Sequence, residues 1–391
     1  MTDIVLLDGA RTAIGTFGGA LASTAPIDLA TVATEAALER SGVEPDQIGH
    51  VVFGHVINTE PRDMYLSRVA ARQAKIPDET PAMNVNRLCG SGAQAIVSAI
   101  QSLMLGDAGF AVAGGAESMS RAPFIVGSQR WGQKMGDTYA TDLMIGALNC
   151  PFGTGHMGVT AENVAREHQI SREDQDNFAL QSQIRAAIAI EKGYFESQIT
   201  NIDVMVRREK VVFNRDEHPK ATSFENLRQL KTVFQKDGTV TAGNASGIND
   251  GAAAVVLATA HAVEKHNLNP KARIIGYAHA GVRPEIMGIG PIPAVQSLLK
   301  KVNMSINDFD TIESNEAFAA QALAVNKELN LDPEKVNPNG GAIALGHPIG
   351  ATGAILTVKA LYELQRTGGR YGLITMCIGG GQGIALAIER L

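Results

Sequence analysis

Asn84-Val85-Asn86-Arg87-Leu88-Cys89-Gly90-Ser91-Gly92, running into the apolar stretch from Ala93 to Leu105, decides how this chain is read. It sets a thiol where a helix begins. Unpaired N–H groups and the positive end of the helix dipole favour a thiolate there and lower a cysteine's pKa. Gly90 and Gly92 are expected to leave room for a substrate carbonyl beside the sulfur. Taken alone, the stretch also fits a small buried cysteine in a tight turn, and the rest of the chain has to choose.

A chain of 391 residues, 45% apolar and 19% charged, can fill two or three domain cores. Net charge is −6, and no Lys/Arg run exceeds two residues, which leaves nucleic-acid and polybasic membrane roles without an electrostatic footprint. Met1 to Asp8 carries acids where a signal peptide carries bases and reads as a first strand. No apolar run is expected to reach membrane-spanning length. Three scattered cysteines, Cys89, Cys150 and Cys377, make neither a disulfide framework nor a zinc site, and a reducing cytoplasm is expected.

Working outward from the cysteine turn, strand and helix patterns alternate. Ile4–Leu7 reads as a strand, Ile27 to Arg40 as a helix stopped by Gly42, Gln47–Val56 as a strand, and Arg62–Lys75 as a helix. Phe110–Ala113 reads as a strand ending in Gly114-Gly115-Ala116-Glu117-Ser118. The pattern predicts an α/β layer on a mostly parallel sheet. From Met119 to Ala242 the texture changes, and a helix from Glu173 to Gly193 opens with Ser171 and Asp174. Long excursions of this kind form lids, binding loops or oligomer arms. The division expected is 1–118 with 247–268 as one half, 119–246 as an inserted loop domain, and 269–391 as the other half.

The second half repeats the first. Leu38, Val43, Asp46, Ile48, Val51 and Gly54 match Leu299, Met304, Asn307, Phe309, Ile312 and Asn315 at a constant offset of 261. Cys89-Gly90-Ser91-Gly92 overlays His347-Pro348-Ile349-Gly350 at an offset of 258, and Phe110–Ala113 overlays Tyr371–Ile374. Duplicated halves are expected to place Cys89 and His347 symmetrically, at the N-termini of paired central helices. An imidazole there can hold a thiolate, or can simply cap a glycine-rich loop. Gly341 to Gly346 starts like a phosphate-binding loop, but His347-Pro348 replaces the required Lys and Ser/Thr, so nucleotide hydrolysis is excluded. Thr375 to Gly383 puts Cys377 before a run of glycines whose N–H groups can face an oxyanion, with Cys377 either buried core or acid/base. Asn315 in Ser314 to Ala319 can hold a water or a carbonyl oxygen, or can serve as a turn.

Asn86 to Gly92, Asn315-Glu316-Ala317-Phe318, Gly346-His347-Pro348 and Cys377 to Gly381 resemble, in order and spacing, the motifs of the thiolases, or acetyl-CoA acetyltransferases. Gly155 to Gly158 and Gly243 to Gly247 add a resemblance to the bacterial biosynthetic β-ketothiolases. The resemblance spans essentially the whole chain. It implies a thiolase fold of two duplicated α/β halves in a layered αβαβα core with an inserted loop domain. It also implies a reversible Claisen condensation of two short acyl-CoAs to 3-ketoacyl-CoA and CoA, in fatty acid or polyhydroxyalkanoate metabolism. Cys89 then takes the acyl group, His347 activates it, and Cys377 moves the α-proton. Two oxyanion sites are implied, one from His347 with a water on Asn315, the other from the N–H groups of Cys89 and Gly379. His156, Met157 and Ser246 match the acyl end of the coenzyme A tunnel, with Leu148, Phe234, Ala317 and Phe318 beside them. Relatives commonly carry an arginine after the acidic pair where this chain has Asp216-Glu217-His218-Pro219-Lys220, so Lys220 is the candidate phosphate contact. The implied ligands are acyl-CoA and CoA as substrates, with no metal and no further cofactor. The implied assembly is a homotetramer, with Arg121–Asp137 as its arm.

Three other readings share parts of this pattern. A decarboxylating ketosynthase pairs its cysteine with two histidines or a His/Asn pair and lacks a cysteine like Cys377. A degradative thiolase of longer chains has the same catalytic motifs. A non-catalytic acyl-CoA carrier of this fold is expected to lose catalytic groups that this chain retains.

Overall fold

Apolar runs such as Ile4–Thr12, Phe110–Ser118 and Asn249–Thr259 form strands that are buried on both faces. The computed structural model describes residues 3–206 and 208–391, so Met1 and Thr2 of the expected first strand lie outside the described residues. The first half comprises β1 (Ile4–Thr12), α1 (Pro26–Ser41), β2 (His50–Gly54), α2 (Leu66–Gln73), β3 (Ala82–Val85), α3 (Ser91–Leu105) and β4 (Phe110–Ser118). An excursion carrying α4 (Met157–Glu167) and α5 (Arg172–Glu191) precedes β5 (Asn249–Thr259). The second half comprises β6 (Ala272–Gly281), α6 (Pro291–Val302), β7 (Thr311–Ser314), α7 (Ala319–Glu328), α8 (Thr352–Thr367), β8 (Tyr371–Ile378) and β9 (Gln382–Arg390).

The strands run in the order β3-β2-β4-β5-β1 and then β6-β9-β8-β7, two mirrored sets joined through the short pairing of Val5 with Arg273 and Leu6 with Ala272. Only β2–β3, β2–β4 and β7–β8 are parallel among these. The expectation of a mostly parallel sheet is therefore corrected. β5 enters antiparallel between β1 and β4, and β9 does the same between β6 and β8. Strands buried on both faces read as continuous apolar runs in either direction, so their pattern carries no information on polarity.

One core cluster joins α3 (Ile96, Ile100, Leu103) and α8 (Ile355, Leu361, Leu364) to the inner faces of both strand sets (Val52, Val255, Ile374, Leu386). Leu29, Ala33 and Ala37 of α1 pack on the outer face of the first set, and Val295 and Leu298 of α6 on that of the second. The result is five layers, αβαβα. A stretch apolar enough to resemble a membrane span does exist, Leu88–Leu105, contrary to expectation. It is the central helix with its approach, and its apolarity serves a core packed on several sides. α3 and α8 touch backbone to backbone. A Cβ on Gly353 would lie 2.2 Å from Ala93 N, and one on Gly92 would lie 2.8 Å from Ala354 N.

The helix and strand starts correct the expected symmetry. Ser91 and Thr352, Phe110 and Tyr371, and the left-handed C-caps Gly42 and Asn303 are each separated by the offset of 261 found for the earlier segment. The counterpart of Cys89 is thus Gly350, and that of His347 is Asn86. His347 sits three residues further from its helix than the sequence overlay placed it.

The excursion leaves after β4 and returns at β5, whose Asp250 pairs with Ser118. Its α5 starts as expected, Ser171 and Asp174 capping each other. Buried Arg11 of β1 grips Asp216 through two nitrogens at 2.7 and 2.9 Å, and Glu217 accepts the Thr16 and Ala20 N–H groups. These contacts bring the segment bearing His218 and Lys220 against the mouth of the site described next.

Candidate active site

The turn before α3 is wound tightly. Leu88 adopts φ 46°, a left-handed conformation that is strained for a leucine. Ser91 Oγ donates to Leu88 O at 2.6 Å and accepts from Arg87 N at 2.8 Å, while Asn86 Oδ1 accepts from Leu88 N at 2.9 Å. Cys89 is held two residues ahead of the helix. A Cβ on Gly90 would sit 2.5 Å from Ile378 Cδ1. The expectation that Gly90 and Gly92 clear space for a carbonyl is corrected: they let the turn close on β8 and on α8.

His347 follows Gly346, whose φ of 107° and whose Cβ position 2.5 Å from Asn249 Cγ both require glycine. Asn249 Oδ1 accepts the His347 N–H at 2.9 Å. The imidazole is buried, with Nδ1 2.6 Å from Thr352 Oγ1 and Nε2 3.4 Å from Asn315 Nδ2. Burial lowers its pKa to about 4, so the ring rests neutral. Asn315 is placed by its N–H on Thr375 O of β8. Neighbouring Glu316 accepts from Ser182 Oγ, Asn337 Nδ2 and Ile343 N, tying this segment to α5.

Cys377 lies buried at the end of β8. Burial pushes its thiol well up, and the Cys89 sulfur pushes it further. Burial also raises Cys89, against which the N–H groups of Gly379 and of Cys89 itself act, while Glu117 adds to the rise. The helix-end stabilisation expected from the sequence is therefore outweighed by desolvation, and Cys89 rests as a thiol that needs a base. Glu117, itself raised by burial, accepts N–H groups from Val56 and Ile57 at 3.1 Å and from Gly350 at 2.9 Å. One carboxyl thus locks the loop after β2 to the loop that carries His347.

Cys89, His347, Cys377 and Gly379 line one cavity of about 520 Å³, together with His156, Met157, Ser246, Leu148, Phe234, Ala317, Phe318 and Lys220. Asn315 stands behind His347 and faces a second, much smaller cavity with Thr352 and Lys359. His156 stacks on Phe234 at 4.7 Å, and Phe234 meets Phe318 edge-on at 6.3 Å. His156 Nδ1 accepts from Gly158 N at 3.0 Å, capping α4 and leaving the hydrogen on Nε2. Lys220 is exposed at the mouth.

Several site residues escaped the sequence reading. His218 lines the cavity with its pKa lowered to about 4, by burial first and then by Lys220. Its place beside the Asp216-Glu217 anchor was the available signal. Met287 also lines the cavity, from a region without a motif. Asn249 and Glu117 act through contacts that span long sequence separations, which no local pattern reveals.

Residues 4–261 match the family described as thiolase, N-terminal domain, and residues 268–390 match thiolase, C-terminal domain. The chain is 56% identical to the β-ketothiolase BktB of Cupriavidus necator over 391 residues, covering 100% of this chain and 99% of that one. It is similar to the crystal structure of Bacillus anthracis acetyl-CoA acetyltransferase, with TM-score 0.98 and 47% identity over 100% of this chain and 99% of that one. It is likewise similar to human mitochondrial 3-ketoacyl-CoA thiolase in complex with CoA, with TM-score 0.97 and 45% identity over 100% of this chain and 98% of that one.

Proposed function

The chain belongs to the thiolase family and is an acyl-CoA acyltransferase, and from that premise we propose how its residues divide the reaction. The convergence of Cys89, His347, Cys377 and the Gly379 N–H on one cavity carries the reading. In the first half-reaction His347 Nε2 takes the Cys89 proton, and the sulfur attacks the acyl-CoA carbonyl. The tetrahedral oxygen is held by the N–H groups of Cys89 and Gly379. The departing CoA thiolate takes the Cys377 proton, leaving acyl-Cys89, a Cys377 thiolate and a His347 imidazolium. In the second half-reaction Cys377 removes the α-proton of a second acyl-CoA. The enolate oxygen faces His347 and a water on Asn315, and the carbon attacks acyl-Cys89. Cys89 recovers its proton from His347, and every atom balances.

The elevated affinity of Cys377 for its proton suits this cycle, because a thiolate made only transiently is a strong base. CoA thioesters are the only ligands the scheme needs, with no metal or redox cofactor. Residues 119–246 serve as the CoA-binding insertion, and Lys220 takes the nucleotide phosphates, a reading its exposure at the cavity mouth supports. Met157, Met287 and Phe318, which pack with Cys377, close the acyl end and support short acyl groups. We place the enzyme in the cytoplasm, consistent with three free cysteines, and in fatty acid or polyhydroxyalkanoate metabolism. We propose a homotetramer, supported by the exposure of Phe124, Trp131 and Met135 on the arm.

The competing reading is a degradative thiolase of longer chains, favoured by similarity to the human 3-ketoacyl-CoA thiolase. Condensation and thiolysis assayed over a series of acyl-CoA lengths decide between them. The short-chain reading expects kcat/KM to peak at four to five carbons, about 10-fold or more above ten carbons. A flat or rising profile overturns it.

A further inference from the structure

We infer that Thr352 is a positioning residue whose hydroxyl sets the working tautomer of His347 and steadies its imidazolium. The inference rests on the proposed role of His347 as the base for Cys89. Thr352 is the first residue of α8, is buried, and makes no lining of the main cavity. Its Oγ1 stands 2.6 Å from His347 Nδ1 and 2.9 Å from Pro348 O. A hydroxyl has one hydrogen and can accept as well. Donating to the Pro348 carbonyl, it turns a lone pair to Nδ1, which then carries hydrogen and leaves Nε2 free as the base. Asn315 Nδ2, a donor 3.4 Å from Nε2, fits the same assignment.

When Nε2 takes the Cys89 proton, the relay Nδ1–H to Oγ1–H to Pro348 O becomes the only arrangement open, because both ring nitrogens are donors. That relay matters here because the imidazole is only 5% exposed and charge on it is costly. Among the described residues, the titratable groups that share a cavity with the ring are Cys89, Cys377, His156, His218 and Lys220; Glu117 holds Gly350 nearby, and the Lys359–Glu313 pair lies by the smaller cavity with Asn315. None of these is held against Nδ1, so the charge on that edge is met by Thr352. The offset of 261 adds a sequence reason. The counterpart of Thr352 is Ser91, whose hydroxyl likewise makes a two-sided bridge, there winding the Cys89 turn. Both halves use a hydroxyl at the start of the central helix to set the reactive loop.

The test compares Thr352→Val, Thr352→Ala and Thr352→Ser in the full-length enzyme, with thermal denaturation as a folding control. Ala and Ser both lose the methyl, so that pair isolates the hydroxyl even where Val disturbs packing. Val and Ala are expected to lower kcat about 10- to 100-fold at nearly constant KM, the scale of removing an imidazole's orienting partner. They are also expected to move the pH profile of Cys89 alkylation by iodoacetamide, read by peptide mass spectrometry, toward alkaline pH. Ser is expected to restore both. Unchanged kcat, an unchanged alkylation profile, or equal loss in Ala and Ser overturns the inference. Alkylation of wild type elsewhere than Cys89 would instead overturn the site assignment itself.

Discussion

The two central helices begin alike and carry different chemistry. α3 and α8 start 261 residues apart, cross through Gly92 and Gly353, and each follows a loop held by a buried hydroxyl. Cys89 lies two residues ahead of α3, in a turn strained at Leu88. His347 lies five residues ahead of α8, held by Asn249 and backed by Asn315. The positions that duplication made equivalent to them are Gly350 and Asn86. The repeat therefore supplies a frame of crossed helices, and the reactive groups come from loops that have diverged from it.

The strongest break in this comparison is Cys89→Ser, which leaves both helices in place and removes the proposed nucleophile. Turnover should fall by about 10³-fold or more, and intact mass spectrometry should find no acyl adduct. An adduct at wild-type stoichiometry would move the nucleophile elsewhere. Next in size, Gly353→Ala drives a Cβ onto the Ala93 backbone, where nothing flexible can yield. A loss of roughly 1–3 kcal/mol in denaturant unfolding is expected, larger than for Gly92→Ala, whose nearest neighbour is 2.8 Å away. Equal, negligible losses at both sites would dissolve the claim that the crossing holds the frame. Asn315→Ala leaves the frame intact and strips the backing of His347, so condensation should slow by roughly 10²-fold while acylation of Cys89 is affected less.

A pH experiment sharpens the contrast from the histidine side. His347 titrates near 4 in the folded chain against 6.5 for the free side chain, so the native state favours the neutral ring. The stability this confers is present above pH 6.5 and is lost as pH falls from 6.5 toward 4, with His218 acting in the same sense. Replacing His347 by Gln should flatten part of that acid loss in thermal unfolding, and an unaltered slope would count against a buried neutral imidazole.

Much of this was legible in the residues. Ser171 with Asp174 announced α5, Gly42 ended α1, and the four motif stretches reached the cavity. The direction of β5 and β9 was not legible, because alternation is absent from strands buried on both faces. The register of the repeat slipped by three at His347, since a loop can change length without disturbing the helix that follows it. The roles of Gly90 and Gly92 were misread because a glycine's reason often lies in what approaches it, here Ile378 and Ala354. Asn249 and Glu117 bind the reactive loops from distant strands, and only the folded chain brings those contacts together.

The division of labour between the two cysteines is the centre of the account, and Cys377→Ala incubated with acetyl-CoA tests it most directly. Intact mass spectrometry is expected to show Cys89 carrying one acetyl group while acetoacetyl-CoA formation falls by about 10²- to 10⁴-fold. Condensation at the wild-type rate, or an acetyl group carried elsewhere than on Cys89, would contradict it.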